Sequence, residues 1–353
     1  MLLLSAILAL SLPPHTHIAA QEQRVPMRVS ADGIVAANVT LIGASGASRI
    51  VVWDHALHAT LLSPPSALQP GELSAGLALG GFGGPSTLYV TRVASMELEA
   101  GGNRLTPVAY LGTLSAPLVL APCAKITQPD FLPYVDDVTA NGIYITYESP
   151  DSPEVLDGAT TSALAPYAVL FDEGSCTLLG RASIRGASDG YVVGFRGYLG
   201  AFIAPTDLNI ETQRYVAVRI HGGTLSELGP GVAMAVSPDG TAVGADELPG
   251  LHDASAPHAM LWRPDGTHVA LAPHARSSVA YAIDEDDTVI GTLAGTDGKP
   301  YAFIWADGRL HLLDDVVPAR GWHFEAAFAF GPREEILGTG TRHGVQSAFE
   351  IAE

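Results

Sequence analysis

The sequence predicts an all-β protein: a β-propeller of four-stranded blades, seven in number within a range of six to eight. Three observations carry that prediction. First, one phrase recurs at a fixed interval near the C-terminal end, where Gly244, Gly291 and Gly338 close matching apolar runs at a constant spacing of 47 residues. A period of that size is the mark of a repeat architecture. Second, short apolar runs are joined by Asp-Gly or similar turns, whose residues tolerate the positive φ that a tight hairpin requires. Third, no long stretch shows apolar residues at helical three- and four-residue steps.

The clearest copies fill Val232 to Glu353. Ala235-Val-Ser-Pro-Asp-Gly-Thr-Ala-Val-Gly244 precedes His258-Ala-Met-Leu-Trp262, and a turn at Pro264-Asp-Gly266 leads into a fourth run. Ala282-Ile-Asp-Glu-Asp-Asp-Thr-Val-Ile-Gly291 precedes Tyr301-Ala-Phe-Ile-Trp305, with Asp307-Gly308 as the next turn. Phe330-Gly-Pro-Arg-Glu-Glu-Ile-Leu-Gly338 precedes Ser347-Ala-Phe-Glu-Ile351. Four antiparallel strands in 40 to 50 residues is the footprint of a propeller blade.

Weaker copies precede these. Val29-Ser-Ala-Asp-Gly33 and Arg49-Ile-Val-Val-Trp53 define a first blade, 27–66. Thr87-Leu-Tyr-Val-Thr-Arg-Val93, Pro107-Val-Ala-Tyr-Leu111 and Pro117-Leu-Val-Leu120 define a second, 67–125. Val138-Thr-Ala-Asn-Gly142, Pro166-Tyr-Ala-Val-Leu-Phe171 and Cys176-Thr-Leu-Leu179 belong to 126–181. Ala187-Ser-Asp-Gly190, Tyr191-Val-Val-Gly194, Tyr215-Val-Ala-Val218 and Gly223-Thr-Leu-Ser-Glu-Leu228 belong to 182–229. The clear copies then span 230–273, 274–317 and 318–353. The last stops after its third strand, and an unpaired edge invites association, so residues 21–26 are expected to supply the missing strand. Residues 21–353 thus read as one domain.

The repeated glycines end second strands, where a missing Cβ lets a neighbouring backbone approach. Trp53, Trp262 and Trp305 end third strands and are expected to fill gaps between blades, with Ala259, Ala302 and Ala348 as small partners. An Asn/Asp-Gly turn, a Val/Ile-Val-Gly strand and a His-Ala-Phe-Leu-Trp-like strand together resemble the bacterial HAF-repeat proteins. The nearest triplets here are His258-Ala259-Met260, Tyr301-Ala302-Phe303 and Ser347-Ala348-Phe349. The likeness is strongest over Val232 to Glu353 and thins towards the N-terminus. It implies a propeller-like fold and an extracellular or periplasmic location. The family has no assigned catalytic residues, so none are carried over.

Residues 1–20 read as a signal peptide: Leu2 to Leu12 is apolar, and Ile18-Ala19-Ala20 offers a small-residue end, although no Lys or Arg precedes the run. An apolar stretch that short does not span a bilayer, which takes ~20 residues. The formal net charge of −19, with 18 basic against 37 acidic side chains, repels phosphate backbones and disfavours nucleic acid as a partner. Cys123 and Cys176 could pair or stay separate in an oxidising compartment.

Candidate chemistry is thin. Asp284-Glu285-Asp286-Asp287 could ligate Ca²⁺ but lies in a turn, where Asp is common for backbone reasons. Asp136-Asp137 and Asp314-Asp315 read as solvated strand ends. His252, His258, His268 and His274 match no zinc spacing. Ser45 in Gly43-Ala-Ser-Gly46 falls short of a nucleophile elbow, and Gly80-Gly-Phe-Gly-Gly84 lacks the Lys of a phosphate loop. Asn38-Val39-Thr40 is a formal glycosylation sequon. No catalytic, cofactor-binding or metal residue is therefore assigned. The sequence favours a monomeric exported scaffold that binds a protein or glycan through its loops, notably Ser149 to Ala165, Gly197 to Arg214 and Glu247 to Pro257. The alternative is a carbohydrate-active hydrolase or lyase with carboxylates at the propeller centre.

Overall fold

The computed structural model describes residues 6–10, 12–13, 16–18, 26–41, 48–63, 72–83, 87–98, 102–111, 116–117, 132–148, 156–157, 166–172, 175–199, 214–247 and 256–352. Among these residues the structure is all-β apart from one short helix. Strands β1 (Ala6–Leu10) and β2 (Thr16–Ile18) come first, then β3 (Met27–Val29), β4 (Val35–Leu41), β5 (Ser48–Trp53) and β6 (Ala59–Leu62). A second sheet follows in β7 (Glu72–Phe82), β8 (Leu88–Leu98), β9 (Gly102–Leu111) and β10 (Ala116–Pro117). The third holds β11 (Leu132–Thr139), β12 (Gly142–Glu148), β14 (Tyr167–Asp172) and β15 (Ser175–Gly180); between them β13 (Leu156–Asp157) crosses to the next sheet. That fourth sheet comprises β16 (Ser183–Ser188), β17 (Tyr191–Leu199), β18 (Arg214–His221) and β19 (Thr224–Pro230), with β13 added in parallel to β17.

The C-terminal repeats give the last three sheets. They are β20 (Val232–Val236), β21 (Ala242–Ala245), β22 (Ala259–Trp262) and β23 (His268–Ala270), then β24 (Ser277–Ile283), β25 (Val289–Ala294), β26 (Pro300–Ala306) and β27 (Arg309–Leu312). After helix α1 (Leu313–Val316) come β28 (Trp322–Phe330), β29 (Ile336–Arg342) and β30 (Val345–Ala352). Among the described residues seven sheets, each with four antiparallel strands at its heart, stand in a ring, within the expected six to eight. Neighbouring sheets touch through their inner strands, and β28 meets β3 to close the circle. Among the described residues, no helix is long and apolar enough to cross a membrane.

The closing strand differs from the expected one. β1 pairs with β30 over five residues, from Ala6 opposite Ala352 to Leu10 opposite Ala348. The ring is therefore closed by residues 6–10 and not by 21–26, of which 21–25 lie outside the described residues. Burial explains the choice: Leu10 is fully buried, Ile18 on β2 nearly so, and both join the core shared by the innermost strands. The polar run Gln21-Glu-Gln-Arg24 has no comparable side chains to bury.

The repeat residues act through packing. Trp305 lies among Val243, Ala259 and Leu261 of the preceding blade, and Trp262 among Val193 and Ala217 of its own predecessor. At Gly244, Gly291 and Gly338 an added Cβ would sit 1.9, 2.1 and 2.1 Å from the carbonyl oxygens of Val232, Val279 and Ala326 on the adjoining first strands. That is the close backbone approach the missing side chain permits. Cys176 is disulfide-bonded, and the other cysteine in the chain, Cys123, lies outside the described residues.

Candidate functional site

The first strand of each blade lines the axis, and a bulge recurs there. Pairing slips by one residue at Gly80, Asp136, Arg185, Met234, Tyr281 and Phe328. A bulge leaves one residue unpaired and re-aims its side chain. Each of these residues lies three positions before the one that opens the first-to-second turn: Gly83, Thr139, Ser188, Ser237, Asp284 and Gly331. Met27 holds the same place before Ser30, without a bulge. In four blades the residue facing the bulge is the repeat glycine, whereas Val90 and Ile145 occupy that place in the second and third blades.

Side chains of the preceding blade fix where the bulges stand. Asn38 Oδ1 accepts the Leu79 N–H at 3.1 Å, Thr91 Oγ1 that of Val135 at 3.0 Å and Thr146 Oγ1 that of Ile184 at 2.9 Å. Each donor residue immediately precedes an axial one, so a buried polar stitch anchors the backbone where the side chain turns inward. Asn38, the first residue of the formal sequon, is thus fully buried between blades.

The axial ring is divided in chemistry. Met27, Met234, Tyr281 and Phe328 share one apolar cluster, in which Tyr281 and Phe328 meet edge to face at 5.0 Å. Opposite them, Asp136 and Arg185 form an ion pair at 3.8 Å, each side chain only 2% exposed, with the guanidinium also over the Phe195 ring at 4.6 Å. Burial removes water from both ions, so each depends on the other to offset its desolvation. Gly80 leaves a gap in the ring: Arg28 reaches across it, donating from Nε to Gly80 O at 3.2 Å and from Nη2 to Asp136 O at 3.3 Å. Asp137 bridges two blades, with Oδ1 accepting the Val138 N–H and Oδ2 the Ala187 N–H. Burial raises its carboxyl above the usual carboxylate range, partly opposed by the Arg28 charge and those two N–H donors. Asp136-Asp137 is thus an axial pair, not a solvated strand end; the bulge, absent from any alternating pattern, turned it inward.

Between these walls lies a cavity of about 220 Å³, lined by Arg28, Asp137, Arg185, Met234, Tyr281 and Phe328 among others. Its walls also include Ala187, Val236, Ile283 and Phe330, near the ends of the first strands. It therefore belongs to the face that carries the first-to-second turns. The second-to-third connections, including the three long inserts, leave from the opposite face, as alternation in an antiparallel blade requires. Most residues of those inserts lie outside the described residues.

Other candidates are not brought together. Asp284 Oδ1 accepts the N–H groups of Asp286 and Thr288, closing its own turn. Among the described residues no group of three or more His, Cys, Asp or Glu converges as a metal site. His258 stands 3.7 Å from Asp246, His268 and His274 are exposed, and His252 and Ser45 lie outside the described residues. Asp314 is not a free strand end either: it accepts the Phe324 N–H at 2.8 Å and contacts His323 at 2.7 Å, tying α1 to the last blade.

The fold and its axis define the class: an all-β propeller whose blades meet around a mixed apolar and charged ring. No family model matches the sequence, and no curated protein matches it. Among solved structures, a puromycin-hydrolyzing peptidase of Mycobacterium tuberculosis is 15% identical over 94% of this chain, with a TM-score of 0.33. This chain spans 61% of that peptidase's length. The GH32 β-fructofuranosidase of Bombyx mori is 11% identical over 96% of this chain and 90% of its own, with a TM-score of 0.31. Likeness at that level transfers no activity to this chain.

Proposed function

We propose that the protein is a monomeric binding scaffold, a propeller of the HAF-repeat kind. It meets a protein or glycan on the face from which the three long second-to-third connections depart. Propellers gather loops from every blade at a shared face, which suits recognition. The observation that carries a binding role over cleavage is the engagement of the axial carboxylates. Asp136 faces Arg185, and both oxygens of Asp137 take backbone N–H groups. Hydrolysis of a glycosidic bond by paired carboxylates needs two groups flanking the bond, separated by ~5–9.5 Å. Two neighbours on one strand that are spent on inter-blade contacts do not offer that arrangement.

The test uses the full chain on glycan arrays and on fractionated envelope proteins, beside a variant in which residues 149–165 and 200–213 are replaced by two-residue Asn-Gly turns. Saturable binding by the parent, lost in a variant that keeps its melting temperature, is the expected result. Release of reducing sugar from any glycan by the parent, abolished by Asp137→Asn, would overturn it in favour of the carbohydrate-active reading.

A further inference from the structure

We propose that the axial cavity is a second binding site, on the turn face, for a small organic carboxylate with an apolar body. The chain carries 37 acidic against 18 basic side chains, yet two guanidiniums converge at its centre. They are differently engaged. Arg185 is paired with Asp136 at 2% exposure, so its charge is already answered. Arg28 makes its hydrogen bonds to two backbone carbonyls, which fix its position without cancelling its charge. A guanidinium has five N–H donors, so its fork keeps donors for a carboxylate, the acceptor whose two oxygens match that geometry.

The neighbouring acid feels the Arg28 charge but takes no hydrogen bond from its guanidinium. Asp137 lines the same cavity, but both of its oxygens are held by the Val138 and Ala187 N–H groups. The opposite wall is Met234, Tyr281 and Phe328, with Ile283 and Phe330 beyond, and offers dispersion and ring contacts to an apolar body. A cavity of about 220 Å³ is smaller than most drug-sized sites, which start near ~300 Å³, so the occupant is a single ring or a short branched chain. Gly80 bears the carbonyl that Arg28 grips, and a Cβ there would sit 2.5 Å from Val135 Cγ1, so the position admits no larger residue without a shift of Val135.

Titration calorimetry on the full chain tests this with phenylacetate and its isosteric amide, phenylacetamide. The expected result is binding of the carboxylate at least about tenfold tighter than the amide, the margin of a charge-assisted pair. Arg28→Met should erase that preference, and Arg28→Lys should weaken binding while keeping part of it. Equal affinity for acid and amide, or no binding of either, would refute the site. So would undiminished carboxylate binding by a folded Arg28→Met. If Arg28→Met does not fold, the comparison of acid and amide on the parent chain, with Arg28→Lys, still decides.

Discussion

Removal of residues 1–20 takes the fourth strand out of the last blade and strips one wall from the core. Leu10 is fully buried and Ile18 is 5% exposed; both pack in the cluster that joins the innermost strands of the ring. Burying a Leu or Ile side chain contributes about 1.5–3 kcal/mol, so the two together amount to about 3–6 kcal/mol. The five-residue pairing with β30 goes as well, leaving Val345–Ala352 as an open edge. Against a total stability of about 5–15 kcal/mol, that loss lowers the urea midpoint steeply. The milder variant Leu10→Ala, which keeps the strand, is expected to cost about 2–5 kcal/mol. Urea titration followed by circular dichroism reads both, and size-exclusion chromatography reads the edge-to-edge association that a bared strand favours. If the shortened chain unfolds at the parent's midpoint with the same slope, residues 6–18 have no place in the native sheet and the export-leader reading gains. An unchanged midpoint for Leu10→Ala alone would refute the burial that motivates the argument.

Three further outcomes follow from contacts already described. Gly291→Ala places a Cβ 2.1 Å from Val279 O and 2.7 Å from the Phe303 ring, so it should cost about 1–3 kcal/mol or more. Gly308→Ala has open space but a φ of +75° and should cost only about 1–2 kcal/mol; a smaller loss at 291 than at 308 in urea titrations would contradict the close-approach account. Arg185→Met removes the buried countercharge that Asp136 faces, at about 3–5 kcal/mol, and Asp136→Leu added to it should recover much of that in a double-mutant cycle; additive losses would show that the pair is not coupled. At Asp239, burial raises the carboxyl, but bonds from the Ser237 hydroxyl and from Thr241 outweigh it and hold it below the usual 3.8. A depressed native value means its stabilisation is present above 3.8 and fades as pH falls through the lower folded value. Asp239→Asn should therefore flatten the acid limb of the stability profile, and an unchanged limb counts against it.

The C-terminal repeats were legible because their signals are local: an Asp-Gly turn needs its residues whatever surrounds it, and Gly244, Gly291 and Gly338 mark one backbone approach three times. The closing strand was hidden because an apolar run such as Leu2 to Leu12 suits an export signal and a buried strand equally. The axial ring was hidden for a different reason. Along Ala233-Met-Ala-Val236 the two-residue alternation predicts which side chains face which sheet surface, and a bulge breaks the phase at the residue that matters. Alignment of the blades on Ser30, Thr139, Ser188, Ser237, Asp284 and Gly331 places Met27, Asp136, Arg185, Met234, Tyr281 and Phe328 in one column, so the signal existed in the register of the repeats. Arg28 needed the three-dimensional structure, since its role depends on a glycine 52 positions away.

The clasp between β1 and β30 also sets a clock. Leu10 faces Ala348, so β1 has no partner until β30, made far later in the same chain, is available. At about 5–20 residues per second, that wait is roughly 15–70 s. Throughout it the apolar strand β1 stays unpaired while the blades between it and β30 are made.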